Sequence, residues 1–291
     1  TRLLSVTVFS MISFYSRPNL KQINAFKGLY SKTQYEYRAK DKQLLKSIKN
    51  ILLLPLIWLF LIALSITLYL LSHMPRSLSG RYYHFLTRFW CKIFVLALDT
   101  DLRLVKKNKK SLPEQYILIA NHPSALEDFG VPALFDIYPL AKAEVRDWII
   151  LGRISDYAGT IYVERGSASS RHAAKKALQD AVINGKNIVI FPEGGCKGSR
   201  IYEKFHNGAF DISLQTGVPI LPVFLQYIDQ ETFEWSDQSL VKKLWQIFLT
   251  NNNVVNYYVH DALYPEDFEN KDSYNKHVHD MYLEWQKEYL D

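Results

Sequence analysis

The stretch Asn121-His122-Pro123-Ser124-Ala125-Leu126-Glu127 carries an imidazole and a carboxylate with four residues between them. A histidine held beside an acid can take a proton from an alcohol. Pro123 disfavours a helical conformation at His122, and the apolar run Tyr116 to Ala120 comes just before it. His122 is therefore expected on a loop that leaves a strand. The acid has two readings. Either Glu127 orients the imidazole, or Ser124-Ala125-Leu126-Glu127 is a capping box at a helix start, which leaves Asp128 as the partner of the histidine.

Farther along stands Phe191-Pro192-Glu193-Gly194. This is a turn after a short apolar run, where glycine lets a backbone approach closely and the Glu193 carboxylate can bind hydroxyl groups. Arg165 follows another short run and precedes a helical stretch, a place from which a guanidinium can grip a phosphate in bidentate fashion. Lys197 and Arg200 offer further cations beyond Gly194. Cys196 reads as a small filler beside Gly195, since nothing in the sequence marks it as activated. His277 and His279 alternate without a carboxylate or cysteine pattern nearby, so no metal site is expected.

The elements that must position these groups begin near Asp99. There the pattern becomes short β-branched and aromatic runs alternating with helical stretches, which indicates an α/β domain. Strands are expected at Tyr116 to Ala120, Thr160 to Val163, Ile188 to Phe191, Ile220 to Phe224 and Val254 to His260. Between the second and third, Ala173, Ala177, Leu178, Ala181 and Val182 recur at helical spacing before Gly185, which predicts a helix over Ser169 to Asn184. Catalytic loops then follow strand ends, where open sheets hold their ligands.

Upstream, Ile51 to Leu71 carries no charge and reaches the roughly twenty apolar residues that cross a bilayer core. Lys42, Lys46 and Lys49 precede it and Arg76, Arg81 and Arg88 follow, so positive charge sets no clear orientation. Leu3 to Tyr15 is a candidate second membrane segment; alternatively the long helix pairs with the amphipathic stretch Tyr82 to Leu98. The expected organisation is a basic lead-in over residues 1–45, a membrane-anchoring helical segment over 46–98 and a catalytic domain over 99–291. The whole chain has 291 residues, 48% of them hydrophobic, and a net charge of +6, which favours anionic partners. No motif supports nucleic-acid binding. With Cys91 and Cys196 the only cysteines, a reducing compartment is expected. The run Lys106-Lys107-Asn108-Lys109-Lys110 reads as a solvated turn or a contact for anionic head groups.

Four blocks in order carry a likeness: Asn121-His122 to Glu127, Ile161-Tyr162-Val163-Glu164-Arg165, Phe191-Pro192-Glu193-Gly194, and Val218-Pro219-Ile220-Leu221-Pro222-Val223. Lys142-Ala143-Glu144 and Gly152 add to it. Over about Tyr116 to Val223 the chain resembles the lysophospholipid acyltransferase superfamily, typified by 1-acylglycerol-3-phosphate acyltransferases. The resemblance implies a mixed sheet flanked by helices with an N-terminal membrane-embedded segment, and no cofactor or metal. It implies that His122 is the general base, with Glu127 or Asp128 as its acid, and that Asn121, Arg165, Glu193, Gly194 and Lys197 or Arg200 surround the acceptor. Acyl-CoA or acyl carrier protein would be the donor, a lysophospholipid in the membrane the acceptor, and the bacterial inner membrane the place, with the catalytic domain facing the cytoplasm. Family members often continue Pro-Glu-Gly-Thr-Arg, whereas this chain reads Gly195-Cys196-Lys197-Gly198. That departure bears on the acceptor, with lyso-ornithine lipid as the alternative. A catalytically silent lipid-binding scaffold and a thioesterase are the remaining readings.

Overall fold

The structure is a computed structural model that describes residues 52–164, 166–235, 239–250 and 252–291, with the side chains of 78–81 excepted. The chain divides into two compact units, Thr1–Leu56 and Ile57–Asp291. The lead-in, the candidate segment Leu3 to Tyr15 and Arg165 lie outside the described residues.

Helix α1 (Leu52–Leu71) is long and apolar enough to cross a membrane, and only 22% of its most apolar window is buried. Leu59, Ile62, Ile66 and Leu70 are exposed. Helix α2 (Arg76–Ala97) contains most of the expected amphipathic stretch and folds back on α1. There Trp90 Nε1 donates to Ser65 Oγ at 2.7 Å and the buried Tyr83 hydroxyl donates to the Leu68 carbonyl at 3.0 Å. The pairing follows from chemistry: a serine and a main-chain carbonyl on an apolar helix each meet a donor that an aromatic side chain brings with it.

Then come β1 (Asp101–Lys106), β2 (Ile117–Ala120), α3 (Glu127–Leu134), β3 (Tyr138–Lys142), α4 (Leu151–Tyr157), β4 (Ile161–Val163), α5 (Ala168–Ile183) and β5 (Ile188–Ile190). They are followed by α6 (Gly208–Thr216), β6 (Ile220–Tyr227), α7 (Gln230–Phe233), α8 (Leu240–Leu249), β7 (Val254–Val259) and α9 (Lys271–Tyr289). The seven strands form one sheet in the order β1-β7-β6-β2-β5-β3-β4. Every pairing is parallel except β6 with β7. The sheet is thus mixed and flanked by helices.

Side chains that alternate along a strand divide the core in two. Leu118, Ala120, Val189 and Leu221 join α1, α2 and α3 on one face, while Ile117, Ile119, Ile188 and Phe224 join α5, α6 and α9 on the other. Strands buried on both faces need continuous apolar sequence, which β2 and β5 supply. Ser167 caps α5 by accepting from the Ser170 amide, and Asn270 closes a capping box at α9. The five expected strands are present with altered ends, β6 running on to Tyr227, and two more, β1 and β3, complete the sheet. Asp261 Oδ1 accepts from the amides of Lys109 and Lys110 and so folds the basic turn.

Candidate active site

Strands β5 and β6 flank β2 and run parallel to it. The loops after β2 and β5 therefore emerge side by side at one edge of the sheet, where sequence-distant groups can meet. His122 sits two residues past β2, 5% exposed, with its ring stacked on Phe191 at 4.1 Å between centroids and 13° between planes. Its Nδ1 lies 2.9 Å from Glu127 Oε2. Glu127, at the start of α3, is fully buried.

Three groups converge on the Glu127 carboxylate. Oε2 also accepts from the Ser124 amide at 3.0 Å, and Oε1 accepts from the Tyr227 hydroxyl. The capping-type contact and the histidine contact thus coexist on one oxygen. Burial pushes the carboxyl up to about 8, against the lowering effect of the Tyr227 hydroxyl and of the nearby backbone amides. A buried acid with this preference gains by having a cation form beside it, so proton uptake by the imidazole is favoured. With Nδ1 directed at the carboxylate, Nε2 is the nitrogen that exchanges a proton with a reactant.

The third block closes over that nitrogen. Gly194 adopts φ +75°, and its amide donates to the Phe191 carbonyl at 3.0 Å. A Cβ on Gly194 would stand 2.7 Å from His206 Cδ2, so only glycine fits the turn. Cys196 Sγ lies 3.3 Å from His122 Nε2 and 3.3 Å from the Ser124 carbonyl. Glu193 is 1% exposed, and neither carboxylate oxygen has a hydrogen-bond partner among the described residues. Burial raises its carboxyl to about 8 and the charge of Glu127 adds to this, while the His122 amide and Lys197 act in the opposite sense. The amide thus lies near Glu193 without hydrogen-bond geometry.

Other expected site residues fall elsewhere. Asp128 is exposed on α3 and its charge is felt at Cys91, so the acid beside His122 is Glu127, one residue earlier. The helix start that buries Glu127 turns Asp128 outward. Asn121 is bound to the sheet instead of facing a substrate. Its side-chain amide donates to the Leu225 carbonyl at 3.0 Å and its Oδ1 accepts from the Leu225 amide at 2.7 Å, which ties the loop of His122 to β6. Arg200 is ion-paired with Asp291, whereas Lys197 stays near the site, 4.9 Å above the Tyr202 ring. His279 Nε2 meets the Tyr202 carbonyl at 2.8 Å, and no cluster fit to hold a metal is found among the described residues. Tyr227 was not anticipated. Its sequence signal, a tyrosine at the end of an apolar strand, is too common to find it.

Residues 103–226 match the protein-family model described as acyltransferase. The lyso-ornithine lipid O-acyltransferase of Pseudomonas aeruginosa is 34% identical over 143 residues, 49% of this chain and 54% of that protein. A 1-acyl-sn-glycerol-3-phosphate acyltransferase of Neisseria gonorrhoeae is 28% identical over 156 residues, 52% of this chain and 61% of that protein. The chain thus spans little more than half the length of these relatives. The crystal structure of the 1-acyl-sn-glycerophosphate acyltransferase of Thermotoga maritima superposes with a TM-score of 0.61 at 19% identity, covering 83% of this chain and 96% of that one. It shares the fold.

Proposed function

We propose, from the premise that residues 103–226 form an acyltransferase-family domain, that this protein is a membrane-bound O-acyltransferase acting on a lysophospholipid. The favoured conversion is 1-acylglycerol-3-phosphate to phosphatidic acid. The observation that carries the reading is the buried His122–Glu127 pair at 2.9 Å, with Nε2 turned toward the third block. Nε2 takes the proton of an acceptor hydroxyl as its oxygen attacks the donor thioester carbonyl, and Glu127 stabilises the imidazolium. That imidazolium then protonates the departing thiolate.

Acyl-CoA or acyl carrier protein enters as donor substrate, and the reading needs no resident cofactor. The exposed apolar face of α1 supports residence in a membrane, where the acceptor's tail already lies. We place it in the bacterial inner membrane with the catalytic domain toward the cytoplasm, the side on which both donors are available. Lys197 beside the site, and Arg165 by its place in the second block, support an anionic acceptor. A second reading, lyso-ornithine lipid as acceptor, is supported by the 34% identical relative and by the altered third block.

The test is acyl transfer on membranes carrying wild type or His122→Ala, with both donors, lysophosphatidic acid and a panel of lysolipids, read by mass spectrometry. Phosphatidic acid that forms with wild type and falls by about a hundredfold or more in the variant is expected for loss of a general base. Product on another lysolipid keeps the chemistry and replaces the acceptor. Absence of any His122-dependent product would leave the lipid-binding scaffold.

A further inference from the structure

Trp148, Ile149 and Ile150 form a consecutive apolar triplet at the surface, 40%, 85% and 49% exposed. Strand β3 runs parallel to β5, as β5 does to β2. The short 3-10 turn Ala143–Asp147 after β3, and the triplet beyond it, therefore leave the sheet at the edge from which the loop of His122 emerges. Adjoining exposed apolar side chains mark a contact surface where single ones do not. We propose that this triplet seats in the lipid bilayer as a contact separate from α1, so that the strand-end edge carrying His122 rests on the membrane surface. The proposal rests on the membrane-bound reading and deepens it by naming the part of the sheet domain that meets lipid.

The occupant follows from what the triplet is fastened to. Ile150 stands directly before α4, and three residues on, about 5 Å along the helix, comes Arg153. Its Nε donates to Ser72 Oγ at 3.0 Å and its Nη2 to the Ser72 carbonyl at 3.3 Å. Ser72 directly follows α1, the helix whose length and exposed apolar face suit a bilayer. Farther along α4, the Tyr157 hydroxyl donates to the Met74 carbonyl at 2.7 Å, and Arg76 donates to the Asp156 carbonyl at 3.1 Å. Helix α4 is thus bound to the turn between α1 and α2, and it holds the triplet beside the end of the apolar helix, at head-group depth.

Local structure makes the tip firm. The Gly152 amide donates to the Trp148 carbonyl at 2.8 Å, and a Cβ on Gly152 would stand 2.2 Å from the Arg146 carbonyl oxygen, so glycine alone lets the turn fold under the triplet. A preformed tip loses little conformational entropy on insertion. Its composition also fits: tryptophan favours the boundary between head groups and hydrocarbon, and isoleucine the hydrocarbon itself. Arg146 and Arg76, both paired with Asp156 at 3.4 and 3.7 Å, border the tip. Arginine can lay its stem on apolar surface while its charge stays at the level of the head groups.

The experiment uses the full chain mixed with vesicles of phosphatidylethanolamine and phosphatidylglycerol and recovered by flotation. An environment-sensitive fluorophore is attached to Ile149→Cys and, for comparison, to Lys109→Cys in the basic turn after β1, which lies at the opposite edge of the sheet. Both are made with Cys196→Ala, Cys91 being buried. We expect the probe at position 149 to be quenched by nitroxide-labelled lipid and shielded from aqueous iodide, and the probe at position 109 to behave the other way. Ile149→Glu should raise the apparent KM for lysophosphatidic acid held in vesicles roughly tenfold, the loss of one isoleucine from lipid. Its kcat should not change, nor its turnover of a short-chain lysophosphatidic acid dissolved in water, and Ile149→Leu should match wild type. A probe at position 149 that stays in water on chains that float with the vesicles, or equal loss toward both acceptors, overturns the contact and leaves membrane residence standing. Chains that do not float retire membrane residence, and the contact with it.

Discussion

Tyr227, the last residue of β6, donates its buried hydroxyl to Glu127 across 100 residues of sequence. That bond lowers the carboxyl's affinity for a proton, opposing the burial that raises it to about 8. Tyr227→Phe should therefore move the acid limb of the pH–rate profile to higher pH, because Glu127 must be ionised to orient His122. Loss of a buried hydrogen bond to a charged group should also cost about 1–3 kcal/mol of stability. A profile that does not move, measured on folded variant, would sink the assignment of Glu127 as the partner.

Glu193 makes stability depend on pH in a direction fixed by its surroundings. Its carboxyl ordinarily titrates at 4.5 and burial lifts it to about 8. Between those values the unfolded chain has released a proton that the native state keeps, so raising the pH favours unfolding. The contribution is fully present below 4.5 and declines by up to about 1.4 kcal/mol per pH unit as the pH rises toward about 8. Glu193→Gln should gain stability relative to wild type across this window in thermal melts. Glu127 shifts in the same direction and persists in the variant, so the slope should shrink without vanishing. Identical slopes would show that Glu193 does not carry the effect.

Gly194 is the tightest point of the third block. Alanine there must hold φ +75° and place its Cβ 2.7 and 2.8 Å from the His206 ring. The left-handed conformation alone costs roughly 1–2 kcal/mol, and the ring must also move. Gly194→Ala should lower the melting temperature by several degrees and impair transfer, since Glu193 and Cys196 flank the same turn. Gly208→Ala, where nothing lies within 4 Å of the added atom, is the matched control and should melt close to wild type.

The residues that sequence could place are those whose chemistry is local. His122 and Glu127 are five positions apart, and Pro123 puts the first on a loop while the second opens a helix. The choice between Glu127 and Asp128 depended on which carboxyl the start of α3 turns inward, a matter of tertiary burial. Strand β1 was missed because Asp101, Arg103 and Lys106 interrupt an exposed edge strand that buries no continuous face. Strand β3 was hidden by Pro139 and by its half-buried residues. Cys196 looked like a filler in the sequence, since its distance to Nε2 exists only after β2 and β5 have paired.

The antiparallel turn of β6 against β7 has a consequence for when the candidate site becomes complete. Strand β6 supplies both the Leu225 backbone that holds Asn121 and the hydroxyl that holds Glu127. A slip of one residue in its pairing would send Tyr227 to the opposite face of the sheet and unfasten the loop of His122 in the same event. On the proposed activity, a chain that is still assembling would not yet transfer an acyl group. Refolding followed by amide protection in β6 and by recovery of acyl transfer should show a single shared rate.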